Sequence, residues 1–327
     1  MLKTQDLNGE WDFHFTKQKL NEIVPADISY EDKMPVPGCF DAKGKFRYLR
    51  GTGIYRRTLS CGGKIRLDVG AVGLRADLFW DKKKIGSMEK PFSKESFIFE
   101  SGPQGIHELV IATENTLDKE PSSMFHPYYD FYAYGGIYRK VAVTELPEVY
   151  LDYERITPLD LKEGTVEIHL ELGGKWESLS MIELSFDDGQ MISVPVPDKI
   201  VHIVQKVPSH KLWSVETPNL HRLHLRAGQD EKEIRFGMRK VGLQDGRITL
   251  NGEPVKLIGF NRHDTHPDYG YAITAEITRN YLEMIREKGY NFIRGCHYTQ
   301  SETMLSICDE LGLLVWGLSA GETASPA

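Results

Sequence analysis

The sequence predicts a multidomain protein in which two β-sandwiches are followed by the first units of a β/α barrel. Three observations predict this order. The chain has 327 residues, whereas one domain usually has roughly 100–200. Short apolar alternations broken by turn residues fill the chain as far as Phe236, and helical periodicity begins only after it. We therefore expect three domains, with boundaries at residues 1–146, 147–237 and 238–327.

The first domain, residues 1–146, has the pattern of a β-sandwich. Residues 65–69 and 109–112 are short apolar alternations that predict strands, and Pro and Gly residues at 35–38 and 62–63 mark turns. Almost none of this region has a helical period. Many short strands with Gly and Pro turns are typical of a jelly roll, so we expect a jelly-roll β-sandwich here.

The second domain, residues 147–237, continues the β pattern. Its predicted strands are at 165–170, 182–186 and 223–226, and its predicted turns are at 173–174 and 187–189. This length and strand spacing suit an immunoglobulin-like β-sandwich.

In the third domain, residues 238–327, strands and helices alternate. Residues 255–260 form an apolar run of the kind that a parallel strand buried on both faces requires. A helix over 274–288 should follow, then a strand at 291–293. The residues expected on the buried face of this helix are Ile277, Tyr281, Met284 and Ile285.

Ser301 is placed to cap a second helix, Gly312 is placed to end it, and residues 313–316 predict a third strand. The residues expected on its buried face are Met304, Leu305, Cys308 and Leu311. The order β-α-β-α-β with short loops predicts the first units of a (β/α)8 TIM barrel, because right-handed crossovers join parallel neighbours.

Composition excludes several classes of protein. Net charge is −7 with a pI near 5.9, so we expect no nucleic-acid partner. The sequence has no apolar run long enough for a signal peptide or a membrane span, so we expect a cytoplasmic protein without a membrane partner. The four cysteines are expected to be reduced and structural, because no CxxC pair or disulfide framework is present: Cys39, Cys61, Cys296 and Cys308.

Polar residues cluster where the first two barrel strands end. Asn261, Arg262 and His263 follow the first strand, and Arg294 and His297 lie at the end of the second. Active sites of β/α barrels are built at this edge. Because Arg294 and His297 are three residues apart, a regular strand would direct them to opposite faces. The side that Arg294 serves is left open.

A metal site is a competing hypothesis for the histidines of this cluster. Barrel hydrolases with metals use a His-x-His pair, because alternate strand residues share a face. Here His263 and His266 are three residues apart and Pro267 follows, so we expect no metal and no metal-dependent hydrolase. Asp309 and Glu310, near the end of the second helix, are expected to be solvated surface charge.

Eight motifs in register carry a family resemblance. They are the runs at 7–13 (LNGEWDF), 130–139 (DFYAYGGIYR), 212–218 (LWSVETP), 236–241 (FGMRKV), 250–254 (LNGEP), 259–263 (GFNRH), 294–298 (RGCHY) and 308–315 (CDELGLLV). Together they span nearly the whole chain, and they resemble glycoside hydrolase family 2, the family of β-galactosidases and β-glucuronidases. The resemblance implies a jelly-roll domain, an immunoglobulin-like domain and a catalytic barrel.

The resemblance also implies an activity and roles for named residues. It implies a retaining exo-glycosidase acting on terminal β-galactosides or β-glucuronides, without a cofactor, that forms a homo-oligomer when full-length. His263 and His297 match histidines that line the sugar subsite of the family. Arg294 matches an arginine that helps to hold the catalytic carboxylates. Asp130 matches an aspartate of the first domain that contributes to the sugar site.

Both catalytic glutamates of such an enzyme would lie beyond Ala327, so we expect the 327-residue chain to be inactive alone. Three alternatives stay open at this stage. Arg294 could form an internal barrel ion pair, Asp130 could be a turn residue without a ligand, and the chain could be a non-enzymatic carbohydrate-binding or scaffolding fragment.

The third domain is not expected to be stable alone. Leaving a large apolar side chain in water forfeits roughly 1.5–3 kcal/mol, and several such losses equal the about 5–15 kcal/mol that holds a domain together. We expect this region to be supported by the two sandwiches, paired with another copy through open strand edges, or completed by a further segment. Residues 316–327 depart from the family pattern, in which an acidic residue follows the third strand.

Overall fold

The computed structural model describes residues 2–117 and 132–317. Two antiparallel sheets form the first region, one with the strand order β1-β10-β5-β8 and one with the order β3-β2-β4-β9-β6-β7. The predicted strands at 65–69 and 109–112 lie within β5 and β9. The strands are β1 Thr4–Asp6, β2 Gly9–Thr16, β3 Asp32–Val36, β4 Thr52–Cys61, β5 Lys64–Val69, β6 Arg75–Trp80, β7 Lys83–Met88, β8 Glu95–Glu100, β9 Gly105–Glu114 and β10 Val141–Glu145.

One hydrophobic core joins these two sheets. Alternate residues of each strand point inward, as a sandwich of half-buried strands requires. Trp11, Phe13 and Tyr55 from the larger sheet pack in the same cluster as Leu67 and Val143 from the smaller sheet. The indole Nε1 of Trp11 donates to the Leu7 carbonyl at 2.7 Å, so the largest buried side chain is also satisfied in its polar group.

The second region is also a sandwich, with sheet orders β11-β12-β15 and β14-β13-β16-β17. Its core contains apolar residues of both sheets, including Ile168 and Leu170 from one and Leu184 and Leu223 from the other. The strands predicted at 165–170, 182–186 and 223–226 are present. The strands are β11 Val149–Asp160, β12 Thr165–Gly174, β13 Met181–Phe186, β14 Ile192–Pro195, β15 Ile200–Lys206, β16 His221–Ala227 and β17 Asp230–Phe236.

The third region begins with a small antiparallel sheet, β18-β19-β20, and continues with three parallel strands in the order β21-β22-β23. Two helices connect the parallel strands, as predicted. The elements are β18 Val241–Gln244, β19 Arg247–Leu250, β20 Glu253–Pro254, β21 Gly259–Arg262, α1 Ala275–Glu287, β22 Phe292–Gly295, α2 Glu302–Leu311 and β23 Leu314–Trp316. None of the helices in the described ranges is long and apolar enough to cross a bilayer.

The first parallel strand differs from its prediction, because it begins at Gly259 and is not buried on both faces. The Asn291 side chain bonds to the backbone of residues 256 and 258, at 2.9 and 2.8 Å, and these bonds replace strand pairing before Gly259. A Cβ at Gly259 would lie 1.8 Å from the Phe292 carbonyl oxygen, so only glycine allows this approach. The next residue, Phe260, has an exposed fraction of 41%.

The buried faces of the helices were only partly predicted. In α1 the buried residues are Thr278, Leu282 and Ile285, whereas Tyr281 and Met284 are exposed. The buried face is the one that packs against β22 and α2, because Leu282 and Ile285 share a cluster with Ile293 and Met304. On the flank of α1, Arg286 Nη2 donates to the Val215 carbonyl at 2.6 Å.

The second helix shows a similar shift in one position. Met304 and Cys308 are buried as predicted, and Leu311 packs against the same cluster. Leu305 is exposed and Ile307 is buried in its place, because Ile307 lies three residues from Met304 on the face that meets Ile293. Ser301 Oγ accepts from the Met304 amide at 3.1 Å, and Gly312 ends the helix with φ of 73°, as predicted.

Candidate active site

The ends of β21 and β22 bring the predicted polar residues together. The parallel register pairs Asn261 with Arg294, and Arg294 with Trp316. The alternate residues Ile293 and Val315 pack with the helices. Because neighbouring residues in register point to the same side, Asn261 and Arg294 lie on the sheet face turned away from the helices. In a β/α barrel the sheet face turned away from the helices is the inner one.

The two predicted histidines lie beside each other just beyond these strands. The His263 and His297 rings meet edge to face with centroids 5.3 Å apart, and the His263 ring lies 6.0 Å from the Tyr298 ring. His297 is exposed and His263 is half-buried. An imidazole nitrogen can donate or accept a hydrogen bond, so these are residue types that can bind a hydroxyl group.

Arg294 belongs to the same wall. Its Nη1 donates to Asn261 Oδ1 at 3.3 Å and to the Cys296 thiol at 3.1 Å. Within residues 2–117 and 132–317 no carboxylate forms an ion pair with Arg294. The strand β22 ends at Gly295, so regular strand alternation does not govern the relation between Arg294 and His297.

Sequence reasoning missed a buried ion pair beneath the histidines. Arg262 Nη1 lies 2.8 Å from Asp264 Oδ1, and each side chain has an exposed fraction of 9%. The two atoms are close without the alignment of a linear hydrogen bond. The backbone N–H of Asp264 donates to the Tyr298 hydroxyl at 2.8 Å. The sequence did contain a sign of this ion pair. Arg262 and Asp264 are two residues apart, and alternate residues of an extended chain point to the same side.

The first sandwich supports this wall directly. The Phe92 ring stacks on Tyr298 with centroids 3.9 Å apart and an interplanar angle of 9°. Arg139 bridges the two regions, because it donates to the Phe92 carbonyl at 2.6 Å and to the Thr299 carbonyl at 2.8 Å. Phe92 has φ of 65°, a conformation that non-glycine residues seldom adopt. No sequence pattern predicted this contact, since its partners are far apart in the chain.

A buried carboxyl organises the segment that follows residue 131. Asp41 accepts from the Gly135 amide at 2.9 Å, from Asn115 Nδ2 at 2.8 Å and from the Tyr132 hydroxyl at 3.1 Å. Burial, which disfavours the charged form, raises the pKa of Asp41 to about 6 despite these donors. Tyr132 is in turn held by the barrel region, because the Tyr271 hydroxyl donates to its carbonyl at 2.6 Å.

The remaining predicted site residue, Asp130, lies outside the described residues. Tyr132, two positions later, is the nearest position described. Within residues 2–117 and 132–317, no three His, Cys, Asp or Glu side chains are grouped as a metal ion would require.

Asp309 and Glu310 are partly exposed, but both are paired with arginines, so the prediction of merely solvated surface charge is wrong for them. Asp309 Oδ1 accepts from Arg239 Nη2 at 2.8 Å, and its carbonyl accepts from Trp213 Nε1 at 2.7 Å. Glu310 pairs with Arg235 at 2.6 Å and also with Arg279. Hydrogen bonds from Arg279 and then Arg235 lower the pKa of Glu310. These residues tie α2 to the second sandwich, a role that spacing along one helix cannot reveal.

Comparisons with known proteins identify the family. A family model described as "Glycosyl hydrolases family 2" matches residues 149–239, and one described as "Glycosyl hydrolases family 2, TIM barrel domain" matches residues 241–325. A β-galactosidase of Lactococcus lactis is 27% identical over 96% of this chain. A putative β-glucuronidase of Formosa agariphila is 31% identical over 65% of it. The chain covers 35% of the first relative and 27% of the second.

Solved structures agree with the sequence matches. A family 2 β-galacturonidase from Eisenbergiella tayi bound to galacturonate has a TM-score of 0.86 and 27% identity, over 97% of this chain and 57% of that one. The β-glucuronidase 3 of Bacteroides uniformis has a TM-score of 0.82 and 26% identity, over 96% of this chain and 45% of that one. Two matching family models in consecutive stretches and the likeness of the fold lead to one conclusion: the chain belongs to glycoside hydrolase family 2.

Proposed function

We propose that this chain is the N-terminal part of a retaining exo-glycosidase that removes terminal β-linked galactosyl or uronosyl residues. Membership of family 2 supports the reaction class. The relatives named β-galactosidase, β-glucuronidase and β-galacturonidase support this range of sugars. In this proposal residues 1–146 are a jelly-roll domain, residues 147–237 an immunoglobulin-like domain, and residues 238–327 the first part of a (β/α)8 barrel.

One observation carries the proposal: His263 and His297 pack together just beyond the carboxyl ends of two parallel strands, and Arg294 lies on the second of these strands, within the stretch that matches the barrel model. This edge is where β/α barrels bind and transform their substrates. The histidines hold sugar hydroxyls, and Arg294 orients a carboxylate through its planar guanidinium. Asp130, from the first domain, completes the sugar contacts.

The chemistry itself requires two further carboxyl groups. A retaining glycosidase uses a nucleophile and a general acid/base whose carboxyl groups are about 5–5.5 Å apart. We place both on strands outside residues 1–327. The purified chain should therefore not hydrolyse nitrophenyl β-galactoside, β-glucuronide or β-galacturonide, and clear turnover of any of the three by this chain would contradict the placement.

The role of His297 can be tested in the full-length protein. The change His297→Ala should lower kcat/KM by about 100-fold, because a donor that stabilises charge in the transition state is lost. The control is His202→Ala, which removes an exposed histidine of the second sandwich and should leave the rate within about twofold. Equal rates for both variants would remove His297 from the site.

A binding module without catalysis is distinguished by titration. Calorimetric titration of this chain with galactose, glucuronate and galacturonate should show no saturable binding, because the subsite is shared with missing carboxylates. Saturable binding of a monosaccharide would favour the alternative, a carbohydrate-binding fragment.

A further inference from the structure

A short basic and aromatic segment of the first sandwich lies beside the site. Residues 42–50 contain no acidic residue, and they include Lys43, Lys45, Arg47, Tyr48 and Arg50. Lys43, Arg47 and Tyr48 are exposed, and Tyr48 has an exposed fraction of 58%. Tyr48 also has φ of 63°, and its amide donates to the Asp41 carbonyl at 3.1 Å. A bulky residue held in this conformation and left in water indicates a use beyond packing.

Two cations of the segment are available to a ligand. Arg47 lies over the Tyr48 ring at 4.6 Å and donates to its hydroxyl at 2.7 Å, while Lys43 Nζ lies 5.1 Å from the centre of the Tyr269 ring. In the described part of the chain neither forms an ion pair with a carboxylate. Lys45 differs, because it pairs with Asp32 at 2.6 Å. We call Lys43, Arg47, Tyr48 and Tyr269 the rim.

The rim is connected to the two histidines by a continuous series of rings. Tyr269 lies on the loop between β21 and α1, the loop that also carries His263. From Tyr48 the ring centroids are spaced at 5.7, 4.6, 5.2, 5.7 and 6.0 Å. The rings in this series are Tyr48, Tyr132, Tyr134, Tyr271, Tyr298 and His263. The rim is therefore joined to His263 by packed rings, and Lys43 of the rim lies against the loop that carries His263.

The chemistry of the rim suits one class of ligand. Aromatic faces pack against the apolar C–H faces of sugar rings, and cations beside them attract carboxylate or sulfate groups. The loop of Tyr269 carries two acidic residues, Asp264 and Asp268, and Asp264 is paired with Arg262. Lys43 and Arg47 together with Asp268 leave the rim with a net positive charge, although the whole chain carries −7. A positive patch on an acidic protein favours anionic ligands locally.

We propose that the rim binds an acidic saccharide unit next to the terminal sugar, so that the substrate is a chain of uronate or sulfated sugars. The proposal rests on the proposed function for the place of the terminal sugar. It goes further, because it names the chemistry of the neighbouring unit and the residues that contact it.

The test measures binding by this chain without any turnover. A β-linked trigalacturonate should bind about tenfold more tightly than a neutral β-linked galactotriose at low salt, because charge complementarity adds to stacking. The double variant Lys43→Ala with Arg47→Ala should lose most of that preference, and Tyr48→Ala should weaken binding of both trisaccharides. The control removes two exposed lysines of the second sandwich, Lys199→Ala with Lys211→Ala, and should keep the preference.

Each outcome has one meaning. Equal affinity for the acidic and neutral trisaccharides overturns the proposal. The proposal also fails if the double variant of Lys43 and Arg47 still prefers the acidic trisaccharide, or if the control variant of the second sandwich loses that preference. A sulfated trisaccharide that binds as tightly as trigalacturonate supports recognition of charge on either group, whereas tighter binding of trigalacturonate selects uronate. These experiments measure binding and need no catalysis. Inactivity of the full-length protein would therefore refute the proposed function, but it would not change the measured preference for the acidic trisaccharide.

Discussion

Asp41 shows how a single buried side chain can organise a site that it does not enter. Its carboxyl has no exposed surface and is surrounded by donors from Asn115, Tyr132 and Gly135, with Arg50 at 4.0 Å. Even so, burial outweighs these contacts and raises its pKa to about 6. Because the folded pKa exceeds the unfolded value of 3.8, folding takes up a proton between these two values.

The free energy of unfolding should therefore depend on pH through Asp41. The contribution is fully present below about pH 4 and is lost as pH rises through about 6, by on the order of 3 kcal/mol at 1.36 kcal/mol for each pKa unit. In Asp41→Asn this dependence should disappear. Urea unfolding of both proteins at pH 4.5, 5.5 and 7 measures it. Parallel stability curves would show that Asp41 ionises normally.

Tyr298 should contribute to stability through its hydroxyl. In Tyr298→Phe the buried Asp264 amide loses its acceptor, and an unsatisfied buried donor costs about 1–3 kcal/mol. The measurement is urea unfolding, together with hydrogen exchange at the Asp264 amide, which should become faster. Tyr281→Phe, at an exposed position of α1, is the control and should change neither quantity.

Two glycines that follow helices allow the cost of a clash to be separated from the cost of backbone strain. Gly312 has φ of 73° and its added Cβ would lie 2.3 Å from the Val215 carbonyl oxygen, whereas Gly289 has φ of 83° and open space around it. Gly289→Ala should cost about 1 kcal/mol for the left-handed conformation alone. Gly312→Ala should cost clearly more in urea unfolding. Equal losses would mean that the backbone near Val215 moves freely aside.

At the level of elements, local signals were predictable and contacts between elements were not. The α2 helix was predicted with both ends, because Ser301 and Gly312 act through their own neighbours. The buried face of α1 was predicted only in part, since it is set by packing against β22 and α2 and not by α1 alone. The start of β21 depends on hydrogen bonds of the Asn291 side chain. The pattern of apolar residues along the sequence does not predict such bonds.

The same distinction applies to the site. His263, Arg294 and His297 could be predicted because strand ends in a β/α pattern converge on one edge. Phe92, Asp41 and the rim could not, because their places are set by how the first sandwich meets the third region. The segment at 42–50 did carry a signal, a run of basic and aromatic residues without an acidic one, but its meaning depends on its neighbours in space.

In the whole molecule, the third region is held by both sandwiches. Phe92 and Arg139 hold it from the first, and Trp213, Arg235 and Arg239 hold it from the second. This agrees with one of the three expectations for a region of three parallel strands, support by the sandwiches.

Glu310→Gln should loosen this support. The change removes a charge shared by Arg235 and Arg279 and should cost about 0.5–1 kcal/mol, a modest value because the pairs are partly exposed. Amides of α2 should then exchange about two- to fivefold faster, while those of the sandwich cores stay unchanged. Glu276→Gln is the control. Uniform protection of α2 in both variants, or faster exchange throughout the chain, would show that this interface does not limit local opening.

The stacking of Phe92 on Tyr298 has a consequence for how genes of this kind can recombine. A crossover between the first sandwich and the third region would set one parent's residue at position 92 against the other parent's residue at position 298. Parallel rings 3.9 Å apart tolerate few substitutions on either side. Chimeras that inherit positions 92, 139 and 298 from one parent should therefore be more stable to unfolding than chimeras that take these positions from both parents. This holds whichever parent supplies the remaining residues.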